Sequence, residues 1–245
     1  MAKKKNVVVN EEVMVNEATE EAVKKATVES ETKEKVRIKP FKKESMLVTI
    51  KGDCDLILNK MTDEAIEDIK STQTKTAKGT KEPINMWQRL VGGLHWMDGK
   101  ETDYTEEGYY HALEFNRVGY DASGIKKGIC DAAVRVLGES KSTIINANIQ
   151  IVPEKQNLVP ITFKETEIDE SVITNWKGNA FLTYRTIFRN WTCSFVVEYL
   201  PDNISRDQVI ELLQAMGFAG GIGAHRVGLK GGTNGKFHVE AVEMV

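Results

Sequence analysis

An α+β fold is what the sequence predicts, on three observations. Residues 142–152 (STIINANIQIV) and 191–199 (WTCSFVVEY) alternate apolar and polar side chains with a period of two, the signature of half-buried strands. Two amphipathic segments, 123–138 and 205–217, carry their own helix start and stop signals. The second half then runs strand, loop, strand, helix, glycine-rich loop, strand, after a first half of strands followed by helices.

Taken in order, residues 1–44 form a charged tail. Its first 35 residues hold seven Lys, eight Glu and no aromatic residue, too little apolar surface for a core, with at most a transient helix around 10–25. Pro40 and Phe41-Lys42-Lys43 close it, and a single domain is expected over 45–245. MLVTI (46–50) and CDLIL (54–58) read as short strands about a tight Lys51-Gly52-Asp53 connection. TDEAIEDIK (62–70) reads as a helix capped by Thr62, and the polar, lysine-bearing stretch that follows as an exposed finger around 70–83. Met86, Leu90, Leu94 and Met97 recur at helical spacing over 84–97, although Gly92-Gly93 weakens the middle. Ser123 is the expected cap of the next helix, with Ile125, Ile129, Ala132, Ala133 and Val136 on one face and Gly138 as its stop. Ser205 and Gln208 make a capping box ahead of the stripe Val209, Leu212, Leu213, Met216, with Gly217 as the end. KFHVEAV (236–242) is the last strand, with Phe237, Val239 and Ala241 inward. These elements suit a ferredoxin-like or RRM-like antiparallel sheet with helices on one face.

Composition narrows the function classes. The chain has 245 residues, 33 Lys+Arg against 36 Asp+Glu and a formal charge of −3, with 41% apolar and 28% charged residues, as in soluble globular domains. No apolar run approaches the roughly 18 residues that a membrane span needs, and MAKKKNVVVN opens without a secretory apolar region, so a cytoplasmic chain is expected. Cys54, Cys130 and Cys193 are scattered, which speaks against a disulfide framework or a zinc site. His95, His111, His225 and His238 include no pair at i, i+4, so no metal or other cofactor is expected.

The stretch most informative about chemistry is GFAGGIGAHRVGLKGGTNGKFHVE (217–240). Between Ala219 and Val239 it holds seven glycines, His225, Arg226, Lys230, Lys236 and His238, and no acid. Glycines permit positive φ and close approach of the backbone amides to an anion, and the cations add attraction for phosphate. Neither a P-loop nor a dinucleotide fingerprint fits: Phe237 follows Lys236 where a P-loop needs Ser or Thr, and Arg226 stands at the third glycine of Gly221-Ile222-Gly223. The plain alternative is a flexible connection from helix to strand. FLTYRTIFRNW (181–191) supplies a second cluster, Arg185 and Arg189 interleaved with Tyr184, Phe188 and Trp191, where rings could stack on bases. By parity Trp191 belongs to the core, while Tyr184 and Phe188 are undecided. Lys126 and Lys127 point to the same surface, and Lys70, Lys75, Lys78 and Lys81 form a third basic patch.

GxG…R…GG…GKF running into a last strand resembles the glycine-rich loop of the RAMP superfamily, the RRM-like proteins of CRISPR effector complexes. ASGIKKGICDAA and YRTIFRNWTCSFVVEY resemble a phage-encoded group related to the RAMP backbone subunit. The resemblance spans about 45–245 and implies an RRM-like core with a projecting finger, subunits side by side as a homo-oligomer, and non-catalytic binding along single-stranded RNA or DNA. Carried over residue by residue, it assigns that binding to Arg185, Arg189, His225, Arg226, Lys230, Lys236, Lys126 and Lys127, with Lys75, Lys78 and Lys81 on the finger. The long tail departs from the family and is a candidate docking segment for an unknown protein. Two other readings stay open: a metal-independent RNA endonuclease using His225 and His238, or His95 and His111, and a protein that assembles or inhibits other proteins without touching nucleic acid.

Overall fold

The computed structural model describes residues 40–74, 85–138, 141–174, 178 and 180–245; residues 1–39 of the tail, and Lys75, Lys78 and Lys81 of the finger, lie outside the described residues. In chain order the elements are β1 (Glu44–Gly52), β2 (Leu56–Leu58), α1 (Asp63–Gln73), α2 (Met86–Gly92), β3 (His95–Trp96), α3 (Glu106–Phe115), β4 (Val118–Asp121), α4 (Ala122–Arg135), α5 (Ser142–Asn148), β5 (Ile149–Val152), β6 (Leu158–Thr162), β7 (Glu165–Thr174), β8 (Ala180–Arg189), β9 (Thr192–Tyr199), α6 (Arg206–Ala219) and β10 (Phe237–Met244). Lys42–Val245 form one compact unit.

The expected α+β architecture is present. A seven-stranded sheet runs β10-β1-β9-β6-β4-β3, with β5 also paired to β9. Every pair in it is antiparallel. Within it, β1, α4, β5, β9, α6 and β10 follow one another as strand-helix-strand-strand-helix-strand in the spatial order β10-β1-β9-β5, the ferredoxin-like arrangement. One edge of β9 serves two partners: Val196–Tyr199 pair with β5, and Thr192–Cys193 pair with β6. The remaining strands make a second sheet, β2-β8-β7.

Alternation decides the faces of the main sheet. Met46, Val48 and Ile50 of β1, Ile149 and Ile151 of β5, and Cys193, Phe195, Val197 and Tyr199 of β9 are buried in one cluster with Ile125, Ile129 and Ala133 of α4 and Val209, Leu213 and Met216 of α6. Each such aliphatic contributes about 1.5–3 kcal/mol by leaving water. On the opposite face β1 and β9 carry Leu47, Thr49, Thr192, Ser194 and Val196, half-buried and none of them aromatic.

Local chemistry explains the helix ends. The Ser205–Gln208 capping box is formed in both directions. Thr62 caps α1 as expected. At α4 the cap is Asp121, not Ser123: its Oδ1 accepts from the amide and hydroxyl of Ser123 at 2.8 and 2.7 Å, so the helix starts earlier, at Ala122. It ends at Arg135, with Gly138 beyond it at φ +74°.

Three other expectations are corrected. The helix over 84–97 stops at Gly92, and Leu94 and Met97 reach the core from around a short strand, where the Trp96 indole donates to the Val91 carbonyl at 2.9 Å. STIINAN is helical, and only IQIV is strand. Ile145 and Ile149 satisfy the i, i+4 spacing as well as the alternation, and the Asn148 side chain donates to the Ile144 carbonyl at 2.7 Å. In β10 a register shift opposite Thr49/Ile50 moves the inward position from Ala241 to Val242, leaving Ala241 exposed.

Trp191 joins the layers. It is fully buried, and its indole N–H donates to the Cys54 carbonyl at 2.8 Å. A Cβ on Gly52 would lie 2.2 Å from its ring, so only glycine lets β1 pass over the indole. The Gly52 amide in turn donates to the Trp191 carbonyl at 3.0 Å. Trp191→Ala is expected to lower the unfolding free energy by about 3–5 kcal/mol, read as a shift in urea midpoint; Gly52→Ala should destabilise through the same contact.

Candidate nucleic-acid interface

Positive φ at Gly221, Gly223 and Gly235 turns the connection from α6 to β10 back on itself. The Ile222 amide donates to the Gly235 carbonyl, those of Thr233 and Asn234 to the His225 carbonyl, and that of Gly228 to the Gly220 carbonyl, at 2.9 to 3.0 Å. The loop also hangs from the β2 segment, since the Ala224 amide donates to the Ile57 carbonyl and the Gly235 amide to the Asp55 carbonyl. At Gly235 (φ +68°) a Cβ would stand 1.8 Å from the Ile222 carbonyl oxygen. The expectation of bare amides is therefore corrected: most of the loop's N–H groups are used to fold the loop, and the glycines serve that packing. What remains available is side-chain charge.

One side of α4, from Gly124 to Arg135, and this loop enclose a cleft of about 430 Å³. Lys127 and Arg135 face it from α4 and Arg226 from the loop, against one carboxylate, Asp131. Gly220, Gly221 and Gly228 form the loop wall. The Tyr120 hydroxyl lines the cleft and accepts from the Gly223 amide at 3.3 Å. Burial raises its pKa, offset in part by that amide and by the Arg226 charge. Three cations around one cavity of ligand size could accommodate an anion. Lys230 follows the lining residue Leu229 and is exposed. Phe218, 68% exposed, precedes the lining residue Ala219, and the Lys236 ammonium stands 5.2 Å from its ring centre.

The expected site residues therefore divide. Lys127 and Arg226 meet across the cleft, with Lys230 and Lys236 on the same loop. Lys126 turns to Gln150 on β5, at 2.8 Å. His225 is exposed at φ +49°, its carbonyl closing the loop. Arg185 and Arg189 lie elsewhere, on β8. Arg185 is only 6% exposed, and its guanidinium is engaged by Asp169 and by Ser171 Oγ at 2.8 Å. Arg189 pairs with Glu167 and, at 3.6 Å, with Asp55. Phe188 and Trp191 are core, and Tyr184 packs against it. Sequence reasoning missed Arg135 and Phe218. Phe218 falls off the apolar stripe of α6, which was the available signal.

The histidines are dispersed. His95 sits in β3, His111 rests on the Phe115 ring at 4.6 Å, and His238 Nδ1 lies 2.6 Å from Asp53 Oδ1; among the described residues no two of the four touch. Among those residues too, no group of His, Cys, Asp and Glu is arranged to hold a metal, and no helix is long and apolar enough to cross a membrane.

No family model matches this chain, and no curated protein matches it. Among solved structures, the crystal structure of Cmr6 from Pyrococcus furiosus is similar at a TM-score of 0.30 and 10% identity, over 82% of this chain and 100% of that one. That likeness transfers no residue and no role.

Two outcomes follow from these placements. Arg185→Ala breaks a buried ion pair and is expected to cost about 3–5 kcal/mol of stability, whereas Arg226→Ala should stay within about 0.5 kcal/mol; urea titrations of the two variants check this. His95 has its pKa lowered from 6.5, by burial first and by Lys60 second, against Asp121. The unfolded chain then takes up a proton that the folded chain resists, so stability is full above pH 6.5 and falls as pH drops toward the depressed value. His95→Gln should remove that part of the slope.

Proposed function

We propose that this chain binds single-stranded nucleic acid along the cleft between α4 and the glycine-rich loop, without catalysing a reaction on it. The observation that carries this reading is the convergence of Lys127, Arg135 and Arg226 on one cleft, with a single carboxylate among them. Phosphates are the anions that a row of such cations suits, and their contacts are not specific to sequence. The strand continues past the cleft onto exposed Lys230, and a base stacks on Phe218 beside Lys236. On the face of the main sheet opposite α4 and α6, the central strands β1 and β9, with Leu47, Thr49, Ser194 and Val196, carry no ring for stacking, so recognition is assigned to the helix-and-loop side. The resemblance of 217–240 to the RAMP loop favours the same ligand and a side-by-side assembly of copies along it.

Lys127→Ala, Arg135→Ala and Arg226→Ala combined should weaken binding of a labelled oligonucleotide and reduce the slope of log K against log salt by about 2, since single strands give roughly 0.7 per lost phosphate contact. Phe218→Ala should weaken binding by about 1–3 kcal/mol and leave the salt slope alone. Anisotropy titrations with RNA and DNA of equal length, over a range of salt, measure both. Unaltered affinity and slope in the triple variant would end this reading; cleavage of the RNA in EDTA would replace it with the endonuclease.

A further inference from the structure

We infer that the outer face of α3 is a docking surface for a lysine- or arginine-rich segment of a partner protein. Six residues of this helix are solvent-facing: Glu106, Glu107, Tyr110, His111, Glu114 and Phe115. At 100° per residue, Tyr110 falls between Glu106 and Glu114, with Glu107 beside them, and His111 and Phe115 continue the stripe. Every exposed position is thus a carboxylate or a ring. None of the three glutamates takes part in an ion pair among the described residues. Some exposed acids elsewhere are matched, as in Lys51–Glu240 and Arg117–Asp98, while others such as Glu211 and Glu243 stand singly without rings beside them in their own helix turn or strand.

The rings are held from behind. Tyr110 is 48% exposed and packs edge-on against Tyr109 at 5.2 Å and Trp87 at 6.3 Å. Tyr109 is buried, with its hydroxyl 2.8 Å from Thr186 Oγ1 on β8. Phe115 is 67% exposed, beside His111. A fixed aromatic face with carboxylates around it attracts a cation twice, through the ring quadrupole and through charge. The same carboxylates repel a phosphate backbone, so these rings do not extend the nucleic-acid surface. Among the described residues, the clustered cations that a second copy could offer, Lys127, Arg135 and Arg226, line its own cleft, with Lys230 next to it. Charge complementarity to three carboxylates set beside two fixed rings assigns the face to a basic segment of another protein, a second copy being an outcome of the test.

The test uses the full chain and a fluorescein-labelled peptide of alternating arginine and glycine, read by anisotropy at fixed salt. Glu106→Gln, Glu107→Gln and Glu114→Gln combined should weaken peptide binding at least tenfold, and Tyr110→Leu, which keeps apolar area but removes the ring, at least threefold. Phe115→Leu gives a second ring variant should Tyr110→Leu fold poorly. Glu211→Gln with Glu243→Gln, acids remote from α3 in the chain, should leave affinity unchanged, and none of the α3 variants should alter oligonucleotide binding. Equal losses in the remote-acid control would mean general charge attraction and overturn the assignment. Loss of oligonucleotide binding in Tyr110→Leu would make the face part of the nucleic-acid surface, and concentration-dependent self-association abolished by the glutamine triple would make the occupant a second copy; either result overturns it. Failure of the cleft variants to affect nucleic acid would leave this surface untouched.

Discussion

The indole of Trp191 seated on Gly52 is the contact from which the rest of the architecture follows. It sits where β8 hands over to β9 and where β1 hands over to β2, and its N–H holds the Cys54 carbonyl. Two turnings of the chain are thereby locked together, one leading into each sheet. β1 and β9 stay in the main sheet, while β2 and β8 leave for the three-stranded one. Because the glycine-rich loop is suspended from carbonyls of the β2 segment, the position of its cations depends on the same contact.

Charge is unevenly placed in a chain whose total is close to neutral. Cations in ordinary ion pairs, such as Lys43–Glu198 and Lys100–Asp63, decorate the exterior and add little. Arg185 is spent inside the second sheet, where it ties β8 to β7 through Asp169. Lys127, Arg135 and Arg226 line the cleft, and Glu106, Glu107 and Glu114 share the outer face of α3. A formal charge of −3 for the whole chain thus coexists with local clusters of opposite sign.

What could be read from the residues was whatever is local. The α6 capping box, the alternation of β9 and the cap at Thr62 are encoded within a few positions, and the structure shows each as read. STIINAN and the segment after Gly92 were misread because a short apolar pattern satisfies both periods, and a neighbour such as Asn203, bonded to Asn148, is not visible in it. The second sheet was out of reach for the same reason: the partner of Arg185 is Asp169, sixteen residues back, across a hairpin. At the cleft, the loop cations were legible as an acid-free run, whereas Arg135 joins them only through the way α4 lies against the loop. The aromatic-rich segment was interleaved with arginines in sequence, yet Phe188 and Trp191 are interior, since parity along β8 and into β9 turns their rings inward.

The self-bonded state of the 220–235 loop also bears on how it meets a ligand. A chain with seven glycines would lose a great deal of conformational entropy if it became ordered only on association. Here the ordering is complete when the protein folds, through the amide-to-carbonyl bonds that close the loop and pin it to the Asp55 and Ile57 carbonyls. Under the proposed function, a ligand at Arg226 and Lys230 would meet a loop that is already folded, and little of that entropy would be lost on association. Glycine, the residue of greatest freedom, is used here to build stiffness.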